Sequence, residues 1–332
     1  MATGGGDGVV FVGLACLDIV NTVPHYPEED GEVRISHTAR FRGGNASNSA
    51  VVAAQLGLRC AWVGTTADPA SDPAAAFLVA DLRKHGVEVL NHFSAGSTGT
   101  PTSYITLSAA TGSRTIAHCR GPMPELTLPQ VLSSLEGRLR DGLLPWVHFE
   151  GRHCEVVRPG MDRVAEWAPC ASWRSTTGTV LSVELEKDVP WALECLAAAH
   201  VAFLSKEFAG AIGVGSPVDM LRKAAETARC GALLVLPWGA DGAYAMDLGA
   251  VGDDGEPTVY ASLAFPPPGG VVSSLAAGDT FLAAMLVALS GRAPVQGALE
   301  YACRVAGLKC GAAGLDASTW GDLPPVPPTT SE

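Results

Sequence analysis

Short apolar runs alternate with helix-like segments along most of this chain, and this alternation restricts the possible folds more than any other feature. The runs are rich in Val, Ile and Leu, which is typical of strands buried on both faces of a parallel sheet. They are residues 9–17, 60–66, 146–150, 180–186, 201–205 and 231–238. The segments between them have helical spacing and several end in Gly, as in 47–57, 74–86 and 217–231. The pattern predicts an α/β fold, with a doubly wound, mostly parallel sheet flanked by helices.

Two polar stretches interrupt this alternation. Residues 31–42 and 100–119 alternate polar and apolar side chains and contain turn residues, so they read as strands. We expect a small second sheet, with its strands within about 19–42 and 98–120, and a small sheet of this kind is suited to act as a lid.

Two further segments stand apart from the predicted elements. Residues 169–178 read as an inserted surface loop, and the Pro-, Thr- and Ser-rich tail 323–332 is predicted to be disordered. We expect residues 9–316 to form a single domain.

Charge and cysteine content exclude several classes of function. The formal net charge of −12, with no basic run, argues against a nucleic-acid-binding surface. The apolar run 9–17 has no Lys or Arg before it and is too short to span a bilayer, so we expect no signal peptide and no membrane partner. Nine dispersed cysteines without a C-x-x-C pair indicate reduced thiols and a cytoplasmic protein.

Three common nucleotide and hydrolase motifs are absent from the sequence. There is no G-x-x-x-x-G-K-[ST], which excludes a Walker-type phosphate loop, and no G-x-G-x-x-G, which weakens a dinucleotide-dependent oxidoreductase. G-x-S-x-G is also missing. With only five lysines in the chain, a bound phosphate would depend mainly on backbone amides, Arg or a metal ion.

The segment 273–286, SSLAAGDTFLAAML, keeps one carboxylate in an otherwise small and apolar stretch. It reads as a small-residue turn that opens a helix, with Asp279 in the first turn. One interpretation is an acid that caps the helix by accepting backbone N–H groups. The other is an acid beside an anion site, which exposed N–H groups form at the helix start.

Three other segments carry polar groups where a ligand could bind. In FRGGNASNSA, two glycines precede a helix, and the spacing of Asn45 and Asn48 aims both amides the same way, which suits sugar hydroxyls. Asp18 ends an apolar strand, where open α/β sheets bind ligands. Residues 238–244, WGADGAY, allow close backbone approach. The simpler alternatives are an Asn cap, a turn acid and a hairpin turn.

Taken in order, these segments and several others resemble those of the ribokinase-type (pfkB) carbohydrate kinases, and most closely of the members that phosphorylate ketohexoses. The similarity extends from about residue 9 to residue 316 and includes HFEGRH, FLSKE, AFPPP, AAGDTF and CRVAGLKCG. It implies a ribokinase-like fold and ATP-dependent phosphorylation of a ketohexose, chiefly fructose at its 1-hydroxyl. It also implies a β-sheet lid that joins two subunits into a homodimer, Mg²⁺ bound with ATP, and activation by K⁺.

The resemblance also assigns roles to individual positions. Those that match sugar-binding positions are Asp18, Gly44, Asn45 and Asn48. Those that match nucleotide-binding positions are a lid arginine, Arg114, the turn of Gly239, Ala240, Asp241 and Gly242, and the anion-hole loop of Ala276, Ala277 and Gly278. Asp279 matches the general base.

The chain departs from the family pattern in two places. The family usually reads D-T-x-G-A-G-D, whereas this chain has Ser273 in place of the first acid and Ala276 in place of a glycine. At the metal motif it has Ser205, Lys206 and Glu207, of which Glu207 is the candidate for ordering the water shell of Mg²⁺. A kinase for another sugar or a nucleoside, and a catalytically silent sugar- or nucleotide-binding relative, remain as alternative functions.

Overall fold

The computed structural model describes residues 8–93, 99–141, 145–252 and 255–329. Within these ranges the strands are β1 (Gly8–Val12), β2 (Cys16–Val23), β3 (His37–Gly43), β4 (Arg59–Thr66), β5 (Glu88–Phe93), β6 (Thr102–Ser108), β7 (Arg114–Cys119), β8 (Trp146–Glu150), β9 (Val180–Leu185), β10 (Val201–Leu204), β11 (Leu233–Pro237), β12 (Ala243–Val251) and β13 (Pro257–Ser262). The helices are α1 (Asn45–Gln55), α2 (Pro73–Lys84), α3 (Leu128–Arg140), α4 (Cys154–Trp167), α5 (Ala192–Leu196), α6 (Lys206–Ala211), α7 (Pro217–Ala225), α8 (Ala277–Ser290) and α9 (Val295–Cys310).

The large sheet has the order β13-β12-β11-β10-β9-β8-β1-β4-β5. Every neighbouring pair from β11 to β5 is parallel, and only β12 and β13 are added antiparallel at one edge. Alternate residues of β1 enter two separate cores: Val9 and Phe11 pack with α1, α8 and α9, while Val10 and Val12 pack with α3, α4 and α7. The predicted doubly wound α/β sheet, with helices on both faces, is confirmed.

The apolar run 9–17 was predicted as one strand, and this prediction is wrong. The run is divided at Gly13, so β1 stays in the large sheet and β2 joins the small one. Gly13 donates its N–H to the Val63 carbonyl at 3.0 Å, and the N–H of Leu14 reaches a carboxylate oxygen of Glu150 at 2.7 Å. A Cβ on Gly13 would lie 2.5 Å from Glu150 Oε2, so only glycine fits where the chain changes direction.

The small sheet has the order β3-β2-β6-β7 and is mixed, since β2 pairs parallel with β6 and antiparallel with β3. Both polar stretches that were predicted as strands contribute to it. Its first strand begins at Cys16, slightly before the predicted boundary, and residue 98 of the predicted second segment lies outside the described residues. Movement of this sheet as a lid remains a prediction.

The segment 169–178 is a loop without helix or strand, and most of its residues are exposed as predicted, but two of its side chains reach the core. Trp173 and Cys170 are buried in the core beside α8 and α9, and Arg174 forms an ion pair with the fully buried Asp247. Burial of these two apolar side chains is favourable, which explains why this part of the loop packs against the core.

The tail has no helix or strand over 323–329, although Leu323 packs against the core, and residues 330–332 lie outside the described part. Its disorder remains a prediction. Among the helices of the described ranges, none is long and apolar enough to cross a bilayer.

Candidate active site

Polar side chains from five segments meet where the carboxyl ends of the central strands face the small sheet. Open α/β sheets bind their ligands at this edge. The site is formed by β2, the β3–α1 junction, the ends of β8 and β9, and the N-terminus of α8.

Helix α8 begins at Ala277, with Asp279 in its first turn as predicted. The first intrahelical bond joins the Thr280 N–H to the Ala276 carbonyl, so the N–H groups of Ala277, Gly278 and Asp279 come before it. Ala277 donates to the Ser274 carbonyl at 3.2 Å, which leaves Gly278 and Asp279 as the donors best suited to an anion.

Ala276, which stands in place of a family glycine, has a left-handed backbone with φ of 59°. This conformation costs a non-glycine residue about 1 kcal/mol. The loop that was predicted to bind an anion therefore carries local strain at the position where the sequence departs from the family.

The carboxylate of Asp279 is buried and bonded to another helix. Its Oδ2 accepts a hydrogen bond from Asn48 Nδ2 at 2.7 Å, and its backbone carbonyl accepts one from Ser49 Oγ at 3.3 Å. Its side chain does not cap α8 by accepting the backbone N–H groups of that helix. The interpretation of Asp279 as a simple capping acid is therefore not what the geometry shows.

The environment of Asp279 brings its pKa close to neutrality. Burial raises this pKa to about 7, and the negative charges of Glu186, Glu150 and Asp18 act in the same direction, while the hydrogen bond from Asn48 opposes them. A carboxylate whose pKa is near 7 is well suited to accept a proton from a substrate hydroxyl.

Asp18 lies inside β2, not at the end of a strand of the large sheet as predicted, because the chain has already left that sheet at Gly13. It is buried, and burial raises its pKa. The two glycines at the end of β3 pack closely against β2 and the residues before it. A Cβ on Gly43 would lie 2.2 Å from Asp18 Oδ1, and one on Gly44 would lie 2.4 Å from the Leu14 carbonyl oxygen.

Asp18 and Asn48 line a cavity of about 300 Å³, together with Arg42, Ala276 and Lys309. A cavity of this size is at the lower end of the range for small-molecule sites. The structure therefore brings Asp18, Asn48 and Ala276 together around one space.

Asn45 and Asn48 were predicted to aim the same way, but they have different partners. Asn45 donates to Glu184 at 3.2 Å and to Glu186 at 3.1 Å, at the end of β9, whereas Asn48 faces Asp279. The two amides are thus held by different acids, and those acids interact with each other.

The sequence reasoning missed Glu150, Glu184 and Glu186. Glu150 accepts from the Leu14 N–H and from Arg152 Nε, and burial with the neighbouring carboxylates raises the pKa of Glu184 well above its usual range. The sequence did contain a signal for these acids, because each of the buried runs WVHFE and SVELE ends in a glutamate.

Among the residues predicted to bind the nucleotide, Arg114 of β7 contacts the segment that precedes the anion loop. Its Nη1 donates to Ser274 Oγ at 2.5 Å, which joins the small sheet to the segment before α8. The turn of Gly239, Ala240, Asp241 and Gly242 connects β11 to the antiparallel strand β12, so these residues form the turn of a hairpin. Gly242 has φ of 96°, and a Cβ there would lie 2.0 Å from the Ser262 carbonyl oxygen.

The metal predictions concern Glu207 and the position of Ser273. Glu207 is exposed in the first turn of α6, and within the described ranges there is no group of three or more His, Cys, Asp or Glu side chains that could hold a metal ion. At Ser273, the carbonyl accepts from the buried ammonium of Lys309 at 3.0 Å. Burial lowers the pKa of Lys309 to about 8.

Comparison with known proteins decides the family. The model of the pfkB family carbohydrate kinases matches residues 7–321 of the chain. The chain belongs to the pfkB family. This pfkB protein is therefore a sugar kinase, which is a phosphotransferase.

This pfkB kinase is 37% identical to ketohexokinase from Mus musculus over 308 residues, which cover 93% of the chain and 97% of the mouse protein. Its fold is shared with ribokinase from Arabidopsis thaliana, solved with ribose and ATP (TM-score 0.71, 18% identity, 95% and 97% of the two chains covered). It is also shared with adenosine kinase from Sinorhizobium meliloti (TM-score 0.74, 18% identity, 94% and 96% covered). The ribokinase-like fold is thus confirmed.

Proposed function

We propose that this sugar kinase transfers the terminal phosphoryl group of ATP to a ketohexose, with the 1-hydroxyl of D-fructose as the acceptor. The observation that carries the proposal is the contact between buried Asp279 and Asn48 at the start of α8, beside the cavity that Asp18 lines. The 37% identity to mouse ketohexokinase over nearly the whole chain supports the choice of ketohexose.

In this proposal Asp279 is the general base. One oxygen of its carboxylate is held by Asn48, so the other is available to take the proton of the sugar hydroxyl. The hydroxyl oxygen then forms its bond to phosphorus as the bond to the leaving ADP breaks. Phosphoryl transfer needs mainly positioning and charge stabilisation, and the N–H groups of Gly278 and Asp279, with Ala277 behind them, supply both to the phosphoryl group.

The remaining predicted residues divide between the two substrates. Asp18, Gly44, Asn45 and Asn48 are assigned to the sugar. Arg114, Ala276 and the turn of Gly239, Ala240, Asp241 and Gly242 are assigned to ATP. The link from Arg114 to Ser274 supports the assignment to ATP, because it puts a guanidinium beside the anion loop.

Mg²⁺ is expected to enter with the phosphates of ATP, since it commonly keeps several waters and few protein ligands. Glu207 remains the residue proposed for its water shell, and no step above depends on it. Activation by K⁺ also remains a proposal. At the position of the missing acid, the Ser273 carbonyl accepts a hydrogen bond from the Lys309 ammonium, so this carbonyl already has a partner.

We also propose a homodimer formed through the small sheet in the reducing cytoplasm. Exposed Tyr104 on β6 is paired with exposed Ala117 on β7, so the two side chains lie on one face of this sheet and give it an apolar surface suited to a second subunit. All nine cysteines are free thiols, as a reducing compartment would keep them.

The acceptor is tested with a panel of fructose, other ketohexoses, ribose and a nucleoside, each assayed for ADP release from MgATP. We expect the highest kcat/KM for fructose, and a product whose phosphate NMR signal couples to the protons of carbon 1. Preference for ribose or a nucleoside would instead support another kinase of the same family.

The left-handed Ala276 and the loss of the acid at 273 favour one alternative, a silent relative that binds without turnover. Such a protein would show a rise in Tm with ATP and fructose but would release no ADP with any acceptor, even with saturating Mg²⁺ and K⁺.

A further inference from the structure

A line of four side chains connects helix α2 to the carboxylate of Asp279. Asp81 on α2 accepts from Arg42 Nε at 2.8 Å, and Arg42 Nη1 donates to Asn48 Oδ1 at 2.6 Å. Asn48 Nδ2 then donates to Asp279 Oδ2 at 2.7 Å. Arg42, Asn48 and Asp279 are all buried, and Arg42 comes from the end of β3, next to the glycine pair.

An asparagine amide has two chemically different ends, and either can face a neighbour. A guanidinium can only donate hydrogen bonds, so it favours contact with the amide oxygen and excludes the NH₂ group. We propose that Arg42 is a positioning residue, which forces the oxygen of Asn48 toward itself and so keeps the NH₂ group donating to Asp279. This inference rests on the proposed role of Asp279 as the general base.

Arg42 is held firmly enough to do this. Its Nη1 lies 3.3 Å from Ser47 Oγ in addition to the bond with Asn48, and its Nε is fixed by Asp81. Burial lowers the pKa of Arg42, while the charge of Asp81 opposes that change. A guanidinium remains protonated under these conditions, so it cannot become an acceptor for the amide.

The orientation matters because Asp279 lies among many charges. The charged groups that face it are Asp18 on β2, Arg42 on β3, Glu150 on β8, Glu184 and Glu186 at the end of β9, and Lys309 on α9. Among the contacts of Asp279, the bond from Asn48 is the one that lowers its pKa by stabilising the ionised form. A reversed amide would place its oxygen against the carboxylate, and the pKa of the base would then rise.

The test compares pH profiles of kcat/KM for fructose in the wild type, Arg42→Met, Asn48→Ala and the double variant. Asp279 must be ionised to act, so activity falls at low pH, and this fall is the acid limb of the profile. A higher pKa of Asp279 moves the acid limb to higher pH. We expect a shift of about one pH unit in Arg42→Met, with activity largely recovered above the new limb. In the Asn48→Ala background, removal of Arg42 should produce a much smaller shift, since only the direct effect of its charge on Asp279 is then lost.

Two controls separate orientation from charge. Arg40→Met removes a positive charge from the same strand and the same cavity but leaves Asn48 untouched, so the acid limb should stay in place. If the full shift from Arg42→Met persists in the Asn48→Ala background, Arg42 acts through its charge alone and the proposal is overturned. An unmoved limb in Arg42→Met also overturns it.

Failure of the base assignment has a different signature. If Asp279→Asn keeps wild-type activity, or if the wild type shows no acid limb, Asp279 is not the base. Should Arg42→Met fail to fold, as judged by its unfolding transition, Asp81→Asn decides the question, because it loosens Arg42 without removing it. A smaller shift in the same direction supports the positioning role, and an unshifted limb refutes it.

Discussion

Replacement of Asp279 by asparagine is predicted to make the protein more stable at neutral pH. Burial raises the pKa of this carboxyl from its usual 3.8 to about 7. Between these two values the folded protein holds a proton that the unfolded chain releases, so the stability of the wild type falls as the pH rises through this window. Above about pH 7 both states are ionised, and no further loss occurs. The amide of the Asp279→Asn variant does not titrate, so this variant avoids the loss.

The size of the effect follows from the shift of the pKa. About three pH units at about 1.36 kcal/mol each amount to about 4 kcal/mol as an upper limit. The neighbouring Glu184 shares part of the proton uptake, since carboxylates that interact titrate together. We therefore expect about 2 kcal/mol in the free energy of unfolding at pH 8, or about 3 °C in Tm for a chain of this length.

The assay is thermal unfolding of wild type and Asp279→Asn in buffers from pH 5 to pH 8.5. The two Tm values should already differ slightly at pH 5, because the loss begins near the usual pKa of 3.8, and the difference should grow up to about pH 7. Asp219→Asn is the matched control, because Asp219 is also an acid in the first turn of a helix, but an exposed one. A pH-independent difference in Tm between wild type and Asp279→Asn, or a less stable variant at pH 8, would refute the reasoning.

Three other perturbations test separate parts of the site. Ala276→Gly should raise the free energy of unfolding by up to about 1 kcal/mol in urea titrations without loss of activity, because it relieves a left-handed alanine; a destabilised variant would contradict this. Lys309→Met should raise the KM for ATP by loosening the loop at Ser273, and it should remove a basic limb near pH 8 from the pH profile of the wild type; an unchanged profile would refute the role of the ammonium. Gly43→Ala should displace Asp18, since the added Cβ would lie 2.2 Å from its Oδ1; the KM for fructose should rise at least tenfold while the KM for ATP changes little, and equal changes in both would argue against the sugar assignment.

Local patterns predicted the elements that depend on neighbours in sequence. The start of α8, the position of Asp279 in its first turn and the polar strands of the small sheet all follow from spacing over a few residues. The division at Gly13 could not be predicted in this way, because VVFVGLACL is apolar on both sides of the glycine. What divides it is a carboxylate from β8, which is 136 residues away from Leu14.

The partners of the site residues were hidden from the sequence for the same reason. The Asn48–Asp279 contact spans 231 residues and the Arg42–Asp81 contact spans 39. The helical spacing of Asn45 and Asn48 was correct, but the choice of partner for each amide depends on which distant acid lies nearby. The amide of Asn45 donates to Glu184 and Glu186, whereas the amide of Asn48 donates to Asp279.

The central claim is that Asp279 is the base of a working fructose kinase, and ADP release from MgATP with fructose and K⁺ tests it most directly. Wild type, Asp279→Asn and the control Asp219→Asn are compared at pH 7.5. We predict fructose-dependent ADP release in the wild type and the control, and a fall in kcat of about 100-fold or more in Asp279→Asn. A wild type that binds ATP but releases no ADP, or an Asp279→Asn variant with wild-type kcat, would contradict the account.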